Sequence, residues 1–250
     1  MIKTKRINQI KEYVFEHESV SLEELVDYFG VSKNTIRRDV QALVDAGILN
    51  KVYGGVTVNH SVLIGFSERR DQNLSKKQEI GRLAAQFVED GDIIFVDSGT
   101  TTLELLPYIQ NKQVTVISNN FDFIHQSTAH PSLTIFSTGG MLERKTNSFV
   151  GFQSVDFLKK FNINKAFLAS TGVTVTNGVT NSSPLETDVK STVVEKSSEV
   201  YLMIDDSKFD KYGITTFCSL SDIDYLITNS VPNENYKQYA AENGITIVTP

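Results

Sequence analysis

The sequence predicts an α/β protein in two parts: a small helical segment closed by a hairpin, then a larger, mainly parallel sheet covered by helices. Three observations carry this. Residues 1–58 show three helical apolar stripes followed by a strand-turn-strand pattern. From Gly91 onward, apolar runs rich in Val, Ile and Phe ("DIIFVD", "VTVIS", "LTIFST", "KAFLAS", "EVYLMID", "YLIT", "ITIVT") alternate with helical stretches. Continuous apolar strands of that kind belong to parallel sheets buried on both faces. Charge also divides the chain. Residues 1–60 hold eight basic and eight acidic side chains, and the remainder carries the whole net charge of −6. The expected division is 1–58, a polar link over 59–76, and 77–250.

The bulk composition excludes several classes. With 40% hydrophobic and 22% charged residues the chain is globular rather than disordered. No apolar run approaches the roughly 18 residues of a membrane span. "MIKTKRINQIKEYVF" has neither the apolar core nor the small-residue cleavage site of a signal peptide, so a cytoplasmic location and no membrane partner are expected. The single Cys218 is a packing residue with no thiol partner for a disulfide or zinc site. His17, His60, His125 and His130 show no ligand spacing with Cys or acids, so neither a metal nor a cofactor is expected.

In the first segment, Ile7, Ile10, Val14 and Phe15 form one helical stripe. The second helix opens with Ser21 and Glu24 at capping-box spacing, carries Leu22, Leu25, Val26 and Phe29, and stops at Gly30. Ser32 caps the third, whose buried stripe is Ile36, Val40, Leu43 and Val44 and which ends at Gly47. With Ile36 at zero and about 100° per residue, Arg37, Gln41, Asn34 and Arg38 fall near 100° to 200°, opposite the core. Asp39 and Asp45 are read as lying outside that face.

Arginine pairs with guanine or phosphate, and Asn or Gln with adenine. Ser32, Lys33 and Thr35 sit at the helix start, where backbone N–H groups receive a phosphate. A short turn between the second and third helices is helix-turn-helix geometry, which lays the later helix in the major groove of double-stranded DNA. "ILNKVYGGVTV" then reads as strand, Gly54-Gly55 turn and strand, a wing carrying Lys51 and Tyr53 toward the backbone. A plain three-helix domain with a solvated face is the alternative; the cap, turn, cationic face and wing favour DNA together rather than singly.

In the larger part, "VDSGTTTLELL" ends a strand at Asp97, turns at Ser98-Gly99 and enters a helix at Thr100, Thr101 and Thr102. Gly99 permits close backbone approach, and hydroxyls and a helix start favour phosphate. The segment lacks both the P-loop Gly-Lys and the G-x-G-x-x-G fingerprint, so a small phosphorylated molecule fits better than a nucleotide. An ordinary capped turn fits the motif equally. Other strand ends supply Ser118 and Asn119, the pair Gly139 and Gly140, Gly172, and Asp205 with Lys208. Glu186 and Lys190 share one helix face at i, i+4, as site residues or as a surface ion pair.

"VSKNTIRRDVQAL…GIL" with "YGG", then "DIIFVDSGTTT", "SNN", "GG", "SFVG", "NKAFLASTGVT", "GVTNSSPLETDVK", "IDDSKF" and "YLIT" together resemble the DeoR family of bacterial transcriptional regulators over nearly the whole chain. Within it, "VSKNTIRRDV", "YGGVT", "RKTNSFVG" and "GVTNSS" are similar to repressors of inositol catabolism. The resemblance implies a winged helix-turn-helix and a sensor domain like ribose-5-phosphate isomerase. It further implies a phosphorylated sugar or sugar acid that relieves repression, held by Asp97 to Thr102, Asn119, Gly139, Gly140, Glu186 and Lys190. "SNN" departs from the usual Thr-Asn but keeps a hydroxyl. One recognition helix contacts too few base pairs, so a homo-oligomer, dimer or tetramer, is expected on operator DNA. Two other functions share these residues: an activator of the same build, and an isomerase using Glu186, Asp188, Lys190 and Asp97. A DNA-reading module in the same chain argues against the isomerase, and no catalytic residue is assigned.

Overall fold

A computed structural model describes residues 3–17, 19–58 and 65–250, divided after residue 63 into two compact units. The first contains α1 (Lys3–His17), β1 (Ser19–Ser21), α2 (Leu22–Phe29), α3 (Lys33–Asp45), β2 (Leu49–Val52) and β3 (Gly55–Val58). Its core is the predicted set of stripes: Ile10, Val14, Leu25, Ile36 and Leu43, joined by Leu49 and Val56 from the hairpin. Ser21 caps α2 by accepting from Glu24 N at 3.1 Å, while the Glu24 carboxylate turns instead to the Tyr13 hydroxyl. Gly30 ends α2 in the left-handed conformation, and Ser32 caps α3 through Thr35 N at 3.3 Å.

The hairpin and its sheet differ from the sequence pattern. The hairpin turns on Tyr53-Gly54, with Gly55 already paired to Val52, and β1 adds a third strand in the order β1-β3-β2. A three-residue strand is too short for its alternation to register.

Asp39 is fully buried and pairs with Arg6 of α1, Nε to Oδ2 at 2.6 Å. The ion pair fixes α3 against α1. Asp45 lies not off the exposed face of α3, as expected, but on it: it is one turn beyond Gln41 and accepts from the Gln41 amide at 2.5 Å.

The second unit opens with α4 (Phe66–Asp71) and α5 (Leu74–Ala84), where a polar link over 59–76 was expected. Residues 59–64, with His60, lie outside the described residues. From Gly65 onward the chain belongs to this unit, because Phe66 is buried in its core and donates its N–H to Lys145 O. Then follow β4 (Ile93–Val96), α6 (Thr100–Leu103), α7 (Leu106–Ile109), β5 (Val114–Ser118), α8 (Phe121–Ser127), β6 (Leu133–Ser137), β7 (Met141–Glu143), β8 (Ser148–Val150), α9 (Phe152–Leu158) and β9 (Ile163–Leu168). The chain continues with β10 (Gly172–Thr174), β11 (Gly178–Asn181), α10 (Pro184–Lys196), β12 (Ser197–Met203), β13 (Thr215–Cys218), β14 (Tyr225–Ile227), α11 (Glu234–Asn243) and β15 (Thr246–Val248). The helix that the sequence enters at Thr100 is two single turns, because Pro107 opens a new helix and has no N–H to continue the old one.

The seven expected strands form one parallel sheet in the order β6-β5-β4-β9-β12-β14-β15. Both faces are covered. Ile94, Val96, Phe167, Tyr201 and Met203 meet Ile80, Leu106 and Phe123; Phe95, Ala166, Leu168 and Leu202 meet Leu158, Val193 and Ala240. Each large side chain so buried contributes about 1.5–3 kcal/mol. A smaller antiparallel sheet, β10-β11-β13, and the β7-β8 hairpin were not legible as paired strands. The chain leaves β4 toward β5 and β6, then crosses back to β9, so the strand order reverses between β4 and β9. In open parallel sheets the crevice beyond that reversal is where ligands bind. Among the described residues no helix is long and apolar enough to cross a membrane.

Arg6→Met strands the Asp39 carboxylate in the core and should lower the unfolding free energy by about 3–5 kcal/mol in urea titration. Pairing it with Asp39→Leu should recover most of the loss. A single-mutant loss near zero would show the pair to be hydrated.

Candidate nucleic-acid interface and effector site

On α3, Ser32, Lys33, Asn34, Arg37 and Arg38 are exposed, with Thr35 and Gln41 half-buried beside them. The wing presents Lys51 and a fully exposed Tyr53 at its tip. The predicted face therefore exists, but part of it is occupied in the free protein. Lys33 Nζ donates to Glu23 at 2.9 Å, and Gln41 is held by Asp45. Arg37 and Arg38 are placed by the packing of Ile36 and Val40 on either side of them in sequence, both buried in the core.

Asp97 ends β4 at the point of reversal and is completely buried. Four donors converge on it. Oδ1 accepts from Gly99 N and Thr102 Oγ1, each at 2.7 Å; Oδ2 accepts from Ala169 N at 2.9 Å and Lys190 Nζ at 2.7 Å. A carboxylate offers about four lone-pair positions, so Asp97 is saturated by its own chain. Glu186 and Lys190 do not form a surface pair. Both are buried at the start of α10, where Lys190 reaches Asp97 and Ala169 O, and Glu186 accepts from Ser98 Oγ at 2.6 Å and Asn181 Nδ2 at 3.1 Å.

Gly99 was read as permitting a ligand's approach; the space is filled from within. A Cβ there would lie 2.5 Å from the Ala169 methyl, so the residue is Gly because β4 and β9 close on each other. The same correction applies to Gly140, with a φ of +104°, where a Cβ would strike Ser154 Oγ and Val150 O. Gly139 and Gly140 follow β6, two strands from β4, and support the β7-β8 hairpin. Thr100, Thr101 and Thr102 are buried in α6, whose single turn carries little dipole.

Sequence reasoning missed three residues here. Asn120, the second Asn of "SNN", braces the turn by donating from Nδ2 to Asp97 O at 3.1 Å and Gly99 O at 3.3 Å. Arg69 was lost to the supposed link over 59–76, and Lys77, the first residue after it, was read as part of an ordinary helix. α4 packs against α6, and both Arg69 Nε and Nη2 are sealed from solvent without a hydrogen-bond partner. Burial works to lower the Arg69 pKa, and the fields of Glu186 and Asp97 partly oppose it. Arginine does not give up its proton, so this burial is an unmet demand for an anion. Lys77, bonded to Arg69 O, is pushed down to about 8 by burial and by the nearby cations Lys208 and Arg69. Burial would raise the Asp205 carboxyl, but Lys208, the Ser207 donors and Lys77 outweigh it and hold it below the usual range. An i, i+8 Arg and Lys within a helical pattern before the first strand was the available signal. Among the described residues no cluster of His, Cys, Asp and Glu could hold a metal ion.

A winged helix-turn-helix unit followed by a parallel α/β unit is the build of a DNA-binding transcriptional regulator with a sensor domain. The DeoR-like helix-turn-helix domain matches residues 6–62, and the DeoR C terminal sensor domain matches residues 72–230. The chain is 41% identical over 248 residues to the HTH-type transcriptional regulator IolR of Bacillus subtilis, covering 98% of this chain and 99% of that one. It is 29% identical to the lactose phosphotransferase system repressor of Staphylococcus epidermidis, over the full length of both. The ribose 5-phosphate isomerase of Methanocaldococcus jannaschii overlaps 55% of each chain at 17% identity with a TM-score of 0.40. The chain belongs to the DeoR family: it is a transcriptional regulator, not an enzyme.

Between about pH 8 and the ordinary lysine value of about 10.4 the unfolded chain holds a proton on Lys77 that the folded chain lacks. Stability relative to Lys77→Met should therefore rise with pH across that window. Urea midpoints of both proteins at pH 7.5 and 10 read it; a constant difference would mean that Lys77 titrates normally.

Proposed function

We propose that the protein represses a carbohydrate catabolic operon by binding its operator through α3 and the wing, and that a phosphorylated sugar or sugar acid at the β4–β9 reversal releases it. The single observation that carries the effector reading is the buried, unpaired edge of the Arg69 guanidinium beside Lys77. A planar guanidinium with free N–H groups matches phosphate or carboxylate bidentately, and a lysine adds a point charge. Asp97 has no acceptor to spare, so its part is to hold the Ser98–Thr102 turn, with Lys190, Glu186 and Asn120, in the shape that frames the ligand. The repressor sign accords with the similarity to the lactose phosphotransferase system repressor, and the likeness to inositol-catabolism repressors directs attention to phosphorylated sugar acids.

On DNA, Arg37, Arg38, Asn34 and Gln41 read base edges, while Ser32, Lys33, Thr35, Lys51 and Tyr53 contact the sugar-phosphate backbone. A dimer or tetramer brings two such helices to a repeated site in the cytoplasm. The division is residues 1–58 for DNA and the chain from residue 65 for the effector.

Arg38→Ala should weaken specific DNA binding by about 1–3 kcal/mol in fluorescence anisotropy. An equal loss on random DNA would reduce Arg38 to a phosphate contact. For the effector, thermal shift against a panel of sugar phosphates including phosphorylated deoxy-keto-gluconate should find stabilisation that needs the phosphate. The compound so found should then release DNA. Arg69→Gln should raise the concentration required about tenfold to a hundredfold, the equivalent of losing charge-assisted bonds worth about 1.5–3 kcal/mol. An unchanged requirement removes Arg69 from the site. No shift with any compound, from a cooperatively unfolding sample, overturns the effector reading and leaves the DNA reading standing.

A further inference from the structure

Arg69 accounts for two of the buried, unpartnered side-chain atoms in the second unit; the others among the described residues are Asn119 Oδ1, Ser170 Oγ and Thr228 Oγ1. Asn119 follows β5, Ser170 follows β9 by two residues, and Thr228 follows β14, so all three stand at the carboxyl edge of the sheet. Unpaired polar atoms sealed from water are rare in folded chains and call for a reason. Here their placement supplies one. β5 and β9 are the two strands flanking β4, so Asn119 and Ser170 stand on either side of the Asp97–Gly99 turn, about 10 Å apart at strand spacing. Thr228 is three strands from β4, roughly 14 Å away, and belongs to no ligand seated over that turn.

The chemistry of the pair is complementary. The Asn119 amide is oriented by its own donation from Nδ2 to Phe149 O at 3.3 Å, which leaves Oδ1 as an acceptor only. Its main chain is clamped as well, since Asn119 O accepts from Phe149 N at 2.8 Å. Ser170 offers a hydroxyl able to donate or accept. Neither carries charge, and neither adds to the cationic grip of Arg69 and Lys77. An acceptor and a hydroxyl on opposite sides of one turn suit a polyhydroxylated carbon skeleton, not its anionic group.

We propose that Asn119 Oδ1 and Ser170 Oγ are the specificity determinants of the effector site, each hydrogen-bonding a different hydroxyl of the ligand's sugar portion. This rests on the effector reading above and adds to it the division of labour: cations hold the anion, and this pair selects the sugar. A site built to bond a hydroxyl discriminates strongly against the analogue that lacks it, because its own buried group then stays unpaired.

The test is calorimetric titration of the full chain and of Ser170→Ala with inorganic phosphate, ribose 5-phosphate, glucose 6-phosphate and the 2-deoxy counterparts of the two sugar phosphates, plus 6-phosphogluconate and its 2-deoxy form. Wild-type protein should prefer at least one hydroxylated compound over its deoxy partner by about tenfold or more. Ser170→Ala should shrink the preference severalfold or more while inorganic phosphate binds as in wild type. Asn119→Leu, which removes the acceptor, should weaken the sugar phosphates more than it weakens inorganic phosphate. A second readout separates this role from a structural one: removing a buried hydroxyl without a partner should leave the melting temperature of free Ser170→Ala equal to or above that of wild type. A lower melting temperature with unchanged selectivity overturns the proposal. So does binding of phosphate and sugar phosphates with no preference between hydroxylated and deoxy forms, which would leave the anion-binding reading intact. If no probe binds, phosphate included, both fall together.

Discussion

Asp97 is a charged group with no water, held by four donors from four parts of the chain: the turn at Gly99, the helix at Thr102, the end of β9 at Ala169, and Lys190 of α10. A buried ion pair contributes little net stability, since desolvation consumes most of its attraction. Its effect is on geometry. Because the carboxylate is intolerably placed unless all four donors arrive, it sets the closeness of β4 and β9, the start of α6 and the register of α10. Glu186, one turn before Lys190, is thereby brought to Ser98, and Asn120 closes the other side of the turn. The rest of the site takes its positions from this one constraint.

Beside that satisfied anionic centre lies the Arg69 guanidinium, two of whose nitrogens are not satisfied. The contrast matters for a regulator. A group already paired inside the protein gains little from a ligand, whereas Arg69 gains charge-assisted bonds that it lacks. Arg69 also sits on α4, the first described helix of the second unit along the chain. A ligand changes DNA affinity only as far as it binds one state of the protein better than another. An anion that fastens Arg69 would act on the element nearest in sequence to the DNA-reading unit, which is an economical place for that difference to arise.

The DNA-reading unit solves a different electrostatic problem. It is neutral by count, yet it presents cations on one face, because Asp39 is withdrawn into the core by Arg6. Asp45 and Glu23 remain at the surface and engage Gln41 and Lys33. These exposed contacts are weak and screened by salt. A polyanion can exchange them for its own, so they temper nonspecific attraction more than they oppose a fitted site.

The sequence by itself determined the elements. Helical stripes at Ile10, Val14, Leu25, Ile36 and Leu43, caps at Ser21 and Ser32, and seven apolar runs sufficed for both architectures, because local propensity and apolar periodicity act within a few residues. It also marked Asp97, Glu186 and Lys190 by their strand-end and helix-start positions. Only the tertiary structure decided what those residues do. Whether Lys190 pairs with Glu186 four residues away or with Asp97 ninety-three residues away is a question of burial, and burial is a property of the packed chain. The same reason hid Arg69: a polar stretch reads as a link until Phe66 is found in the core. Gly99 and Gly140 were legible as places of close approach, but what approaches them is a matter of which strands lie side by side. Distances across a sheet are set by topology, and topology is written in no local pattern.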